Sequence, residues 1–312
     1  MPVIVPRLTV PFGTGLHPAT ERAWADTERW ARECGLTVRP ELAERLRATA
    51  PARLAGRISP NATREGLQFN ADWAAWLFLF DDEYCDESEL GADPAATVEM
   101  TVCMLGALER GVAARREPFA FALADLRSRL TVLATPVQLS RFLTATTSYL
   151  YALAWEAVHR QRRIPAQLVE YVRMRRHSGA VATCLALIDV ANGFELTEEQ
   201  WCSPELRAAS DAVSDIICWS NDIVSFGREE SQSLEVLSLP TVLARSYGLG
   251  LQEALDRCAA MVRARLEDYC SAERPLLASG NPGLIRFAAD LRHWIAGNLE
   301  WSYETARYQV TA

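Results

Sequence analysis

The stretch Trp73-Ala74-Ala75-Trp76-Leu77-Phe78-Leu79-Phe80-Asp81-Asp82-Glu83-Tyr84-Cys85-Asp86-Glu87 passes from an unbroken apolar run into five carboxylates within seven residues. The apolar part is far shorter than the ~20 residues a membrane-spanning helix needs, so it predicts a buried core helix. Asn70 or Asp72 can cap its start. Acid at a helix C-terminus opposes the macrodipole, and like charges on neighbouring turns repel. A bound divalent cation would reverse that cost. Asp82 and Asp86 are four apart and share a helix face, while Asp81 sits about 100° away. Taken alone, the run is equally compatible with a solvated acidic turn.

Working outward, the pattern is helix after helix. Thr20–Cys34 carries Trp24, Ala25, Trp30 and Ala31 at helical spacing, and Gly35 stops it. Further helical patterns cover Glu41–Ala50, Thr97–Glu109, Phe119–Leu133, Pro136–Arg160, Gln167–Arg176 and Ala180–Ala191. They continue through Pro204–Phe226, Val236–Tyr247, Leu251–Cys270 and Pro282–Arg307. Alternating β-branched runs are almost absent, and no internal repeat or low-complexity linker divides the chain. The expectation is one all-α domain over residues 1–312, with roughly ten or more helices.

Composition narrows the chemistry. All 32 basic residues are arginine, against 40 acidic ones, for a net charge of −8. Without lysine there is no Schiff-base chemistry and no phosphate loop that depends on a lysine. The acidic balance argues against a nucleic-acid surface, which needs a basic face. The eight cysteines form no C-x-x-C pair, so they read as reduced, mostly buried thiols. Pro2, Pro6 and Arg7 interrupt Val3-Ile4-Val5, so no secretory signal is expected, and the cytoplasm is the expected compartment. On that basis the sequon Asn61-Ala62-Thr63 is read as chance.

Two more clusters carry chemistry. In Asn221-Asp222-Ile223-Val224-Ser225-Phe226-Gly227-Arg228-Glu229, the residues Asn221, Ser225 and Glu229 are spaced four and four. On a continuous helix they form one stripe of oxygen donors, a set that suits Mg²⁺ with water and phosphate completing its shell. Arginines are the other cluster. Arg173, Arg175 and Arg176 precede Ser178-Gly179 between two helices, and Arg307-Tyr308 closes the last one. Guanidinium forks recognise phosphate oxygens.

Together these landmarks, from residue 73 to residue 308, resemble the bacterial class I terpene synthases. The acidic run resembles their aspartate-rich motif, with one extra residue before Asp86. Asn221, Ser225 and Glu229 fit their N-D-x-x-S-x-x-x-E triad. Arg175 is similar to the pyrophosphate-sensing arginine, Ser178 and Gly179 to the linker and effector that follow it, and Arg307-Tyr308 to the terminal R-Y pair. The resemblance implies a helical bundle around a central apolar pocket and three Mg²⁺ ions between Asp81 and the Asn221/Ser225/Glu229 stripe. It favours Asp81 as principal ligand and leaves direct contact by Asp82 and Asp86 open. The implied substrate is a prenyl diphosphate, with Arg175, Arg228, Arg307 and Tyr308 gripping the leaving group. Phe78, Leu77 and Trp301 are candidates for the cation-facing wall, with Ser178 and Gly179 offering a helix-break carbonyl. Farnesyl diphosphate is the favoured substrate; geranyl and geranylgeranyl diphosphate stay open. A chain-elongating prenyltransferase would call for a second aspartate motif and lysines, and a non-catalytic scaffold for lost ligands. The resemblance also allows a homodimer.

Overall fold

The computed structural model describes residues 3–85, 89–232 and 237–308, with backbone alone for residues 89 and 227–232. Asp86 lies outside the described residues, as do the side chains of Arg228 and Glu229. Among the described residues the chain is helical and has no strand. The helices are α1 (Thr20–Glu33), α2 (Pro40–Thr49), α3 (Pro51–Ile58), α4 (Arg64–Tyr84) and α5 (Pro94–Arg110). There follow α6 (Pro118–Leu133), α7 (Pro136–Arg162), α8 (Leu168–Ser178), α9 (Val181–Leu185) and α10 (Ile188–Ala191). The rest are α11 (Glu198–Trp201), α12 (Pro204–Gln232), α13 (Leu239–Tyr247), α14 (Leu251–Ala278) and α15 (Pro282–Glu304). No described helix is long and apolar enough to cross a membrane.

The decisive helix begins earlier than expected. Thr63 caps α4 by accepting the Gly66 N–H at 3.0 Å, so Asn70 and Asp72 are mid-helix residues and not caps. Asp72 is fully buried because Arg129, Thr27 and Gln68 surround its carboxylate. The apolar part of α4 packs through its rings. Trp73 stacks on Trp76 at 5.2 Å between centroids, and Trp76 on Phe80 at 4.5 Å. Their indole N–H groups donate to Thr183 Oγ1 and the Phe119 carbonyl, so each wide ring is buried with its polar atom satisfied. Fully burying one such aromatic stabilises the fold by ~1.5–3 kcal/mol.

Two other boundaries differ from the pattern. Pro51 does not end a segment but opens α3 as its first residue, a position where the missing N–H costs nothing. Ala180–Ala191 is two short helices that part at Ala186–Leu187, and Ala180 itself, at φ +56°, separates the first of them from α8. By contrast α12 continues past Gly227 to Gln232, so Asn221, Ser225 and Glu229 lie on one uninterrupted helix.

Two large buried apolar clusters build the core, with a smaller one of Ala23, Ala52, Ala55, Leu67 and Ala71 beside them. One of the large two centres on α12 to α15, with Ile216, Leu243, Leu255 and Leu291. The other centres on α4 to α7, with Trp76, Phe80, Leu123 and Phe142. The main cavity lies between them and takes wall residues from both.

Candidate active site

The cavity has a volume of about 840 Å³, within the ~300–1,000 Å³ range of small-molecule pockets. One face of α4 forms its length: Asn70, Trp73, Ala74, Leu77, Phe78, Asp81 and Cys85 recur at three- and four-residue steps. Asp81 therefore marks the polar mouth and Asn70 the far end, ~16 Å away along the helix at 1.5 Å per residue. Opposite stand Ile217, Cys218, Asn221 and Ser225 of α12, and Trp294, Asn298 and Trp301 of α15.

At the mouth, two dipeptides divide their labour in the same way. Asp81 lines the cavity, while Asp82, one position on, is turned away and 3% exposed. Both Asp82 oxygens accept from Arg307, Nη1 at 2.8 Å and Nη2 at 2.7 Å. Likewise Asn221 lines the cavity, while Asp222 is 2% exposed and its Oδ1 accepts from Arg175 Nε at 3.2 Å and Nη2 at 2.9 Å. The other Asp222 oxygen accepts from the Tyr171 hydroxyl and from the Leu239 N–H. Neighbours on a helix diverge by about 100°, which is why one member of each pair faces the cavity and the next faces packed protein.

Arg175 and Arg307 are thus held in place before any ligand arrives. Burial works against their charge, but Asp222 and Asp82 outweigh it, and both guanidiniums are held above the usual arginine range. Arg175 Nη2 also donates to Asn221 Oδ1 at 3.1 Å, and Asn221 Nδ2 donates to the Tyr308 hydroxyl at 2.8 Å. One network therefore joins α8, α12 and the turn Ala306–Tyr308. That turn is not part of the last helix. Thr305 ends α15 by donating to the carbonyls of Ala48 (2.6 Å) and Thr49 (3.2 Å), which bends Arg307 back over the mouth.

Below the mouth the wall is aromatic. Phe78 lies 5.1 Å from Trp301, Trp301 lies 5.8 Å from Tyr308, and the Arg307 guanidinium sits 4.9 Å over the Phe78 ring. Trp301 is anchored by donating to the Thr49 carbonyl. Leu77, Ser178 and Gly179 line the same cavity. At Gly179 a Cβ would sit 2.5 Å from Cys218 Sγ and 2.9 Å from the Arg175 carbonyl oxygen, so the close approach of α8 to α12 requires glycine. Burial pushes the Cys218 thiol up to about 12, and its S–H donates to the Arg175 carbonyl. The Ser178 hydroxyl is buried beside the break without a hydrogen-bond partner among the described residues.

Every candidate whose side chain is described thus belongs to this one cavity or, for Asp82, to the layer behind it. The sequence reading missed Asp222 and Tyr171, which hold Arg175, and the amides of Asn70 and Asn298. It also missed Arg160, Gln161 and Arg163 at the end of α7. A usable signal existed for Asp222, since it stands beside Asn221 as Asp82 stands beside Asp81.

Asp81, Asn221 and Ser225 bring carboxylate, amide and hydroxyl oxygens from two facing helices to one cavity. An all-oxygen set of this kind fits a hard divalent cation. Among the described residues, no group of three or more His, Cys, Asp or Glu side chains forms an alternative centre.

Residues 72–268 match the family described as terpene synthase family 2, C-terminal metal binding. The 4-epi-cubebol synthase ((2E,6E)-farnesyl diphosphate cyclizing) of Streptosporangium roseum is 30% identical over 98% of this chain and 93% of its own length. The (+)-T-muurolol synthase ((2E,6E)-farnesyl diphosphate cyclizing) of Streptomyces clavuligerus is 34% identical over 94% of this chain and 71% of its own. Among solved structures, wild-type cucumene synthase is 27% identical with a TM-score of 0.83, over 96% of this chain and all of that one (100%). Family match, full-length relatives and the paired acid–arginine mouth agree, and the chain belongs to the bacterial class I terpene synthases.

Proposed function

We propose that the protein ionises farnesyl diphosphate and cyclises the resulting allylic cation to a sesquiterpene, releasing pyrophosphate, with residues 1–312 acting as one catalytic domain. The observation that carries this reading is the facing of Asp81 and the Asn221–Ser225 stripe across an aromatic-walled cavity, with an arginine fixed beside each.

Asp81, Asn221, Ser225 and Glu229 would hold magnesium, three ions in the full complement, whose charge neutralises the departing diphosphate. Asp82 plays a different part, because its two oxygens hold the Arg307 fork at the mouth, as Asp222 holds Arg175. Incoming diphosphate oxygens compete with Asn221 for Arg175 Nη2 and so meet a donor already aimed at them. Arg307, Arg228 and Tyr308 add further donors and close the mouth against water. The cation left behind meets the faces of Phe78 and Trp301, whose quadrupoles attract positive charge, with Leu77 shaping the wall. Ser178 and Gly179 direct backbone oxygen toward the cation from the helix break. A homodimer and cytoplasmic residence accompany this reading.

The test is incubation of the protein with Mg²⁺ and each of geranyl, farnesyl and geranylgeranyl diphosphate, with mass spectrometry of the volatiles and assay of pyrophosphate. Farnesyl diphosphate should yield cyclic C15 product, and Asn221→Ala or Glu229→Ala should abolish turnover with helicity intact by circular dichroism. Turnover persisting in both variants would remove the stripe from the mechanism. A linear C20 diphosphate as product would move the enzyme to the elongating class.

A further inference from the structure

Below the mouth, on an otherwise apolar part of the wall formed by Leu54, Ile58, Trp73, Ala74 and Trp294, stand two carboxamides, Asn70 and Asn298. Both residues are at least nine-tenths buried, at 6% and 9% exposure. Their surroundings place them on the same wall. Asn70 Nδ2 donates to Ser59 Oγ at 2.9 Å, and Ser59 directly follows Ile58. Asn298 follows Gly297, where a Cβ would sit 2.6 Å from the Arg57 carbonyl and 2.9 Å from the Ile58 nitrogen. The absent side chain lets α15 come against the end of α3, and Ile58, Asn70 and Asn298 line the same cavity.

Among the described residues, the Asn298 amide makes no hydrogen bond, and Asn70 makes only the one to Ser59. An amide facing a dry apolar pocket without partners costs about 1–3 kcal/mol. A water molecule with two to four polar partners removes that cost.

We propose that Asn70 and Asn298 hold a water molecule at the floor of the pocket, and that this water captures the final carbocation, so that the product is a terpene alcohol. This rests on the cyclase reading above and specifies how its last cation is quenched. A water lone pair forms the new C–O bond to the cationic carbon, and the resulting oxonium loses one proton. The oxonium is a stronger acid than a protonated amide, so the Asn carbonyl oxygen that holds the water takes that proton first and, too weak a base to keep it, gives it up to solvent as the mouth opens for release. In solvent the pyrophosphate released by ionisation is the base the reaction itself supplies, so prenyl diphosphate and water balance to alcohol and singly protonated pyrophosphate. Because Asn70 stands ~16 Å from Asp81 along α4, a water on its amide sits away from the ionising end and does not intercept the first allylic cation there.

The experiment is turnover of farnesyl diphosphate in ¹⁸O-water by the wild-type protein, followed by the same measurement on Asn298→Leu and Asn70→Leu. The wild type should give a C15 alcohol carrying one ¹⁸O. Each variant should lower the alcohol-to-hydrocarbon ratio, counted per pyrophosphate released, about fivefold or more, the equivalent of one lost hydrogen bond. A merely structural role would lower alcohol and hydrocarbon together and leave their ratio unchanged. Hydrocarbon alone from the wild type, with pyrophosphate released, overturns the proposal without needing any variant to fold. Labelled alcohol at an unchanged ratio in both variants removes the two amides from it. No pyrophosphate from any prenyl diphosphate would instead overturn the cyclase reading, and this inference with it.

Discussion

Replacing Asp82 by Asn tests whether the second aspartate serves an arginine and not a metal ion. Asp82 and Arg307 have side-chain exposures of 1% and 8%, and two N–H···O bonds of 2.7 and 2.8 Å join them. Removing one partner of a buried ion pair costs about 3–5 kcal/mol, because the other charge is left uncompensated. Here Asp81 lies 3.9 Å from Arg307 and offsets part of the loss, which points to ~3 kcal/mol. At ~2.1 cal/mol/K per residue, 312 residues give an unfolding entropy near 0.65 kcal/mol/K, so Tm should fall by ~4–5 °C. Asp82→Leu combined with Arg307→Leu removes both charges at once. It should destabilise less than the sum of the two single changes, by a coupling of ~2 kcal/mol or more. Thermal melts of the four proteins by circular dichroism measure this directly. In parallel, Asp82→Asn should slow pyrophosphate release without raising the Mg²⁺ concentration for half-maximal rate, whereas Asp81→Asn should raise it. Strict additivity of the melts, or a raised Mg²⁺ requirement in Asp82→Asn, would refute the assignment.

Three more outcomes follow from particular contacts. Gly179→Ala forces a methyl to within 2.5 Å of Cys218 Sγ, an overpacking worth about 1–3 kcal/mol; it should lower Tm, and Cys218→Ala added to it should restore most of the loss, while no recovery would mean that the Arg175 carbonyl is the real obstacle. Asp290 is buried on α15 and its carboxyl is pushed up to about 7, by burial against a smaller pull from Arg286. A carboxyl raised in the folded state stabilises most when protonated and loses that stabilisation as pH rises toward 7. Asp290→Asn should therefore gain over the wild type by about 2–3 kcal/mol between pH 5 and pH 8, read from melts at each pH; a pH-independent gap would contradict the burial argument. Phe78→Ala should change the product distribution more than the Mg²⁺ requirement, and an unchanged profile would take Phe78 off the cation wall.

The chemistry-bearing helices were legible because periodicity and composition agree there. Trp73 to Phe80 could only be a core helix, and the four-and-four spacing of Asn221, Ser225 and Glu229 has meaning only on a helix that does not stop at Gly227. What escaped were choices made by distant neighbours. Nothing around Asp82 announces Arg307, which lies 225 positions away. Asp222 was passed over because its role is set by α8 and the start of α13, not by its own helix. Pro51 read as a stop because a proline ends one helix and opens the next with the same ring, and only the left-handed turn at Ala50 decides between them. Asn70 looked like a cap because amides favour that role, and no local signal says that it faces a cavity.

The docking of Thr305 on the end of α2 has a consequence for how the enzyme is born. Chains emerge from the ribosome N-terminus first, and early segments can collapse while later ones are still being made. Asp82 and the aromatic wall of α4 are synthesised long before Arg307. Until Thr305 reaches the Ala48 and Thr49 carbonyls, Asp82 has yet to meet the Arg307 fork, and burying it would be costly. The nascent pocket therefore stays open and wet at its acidic end.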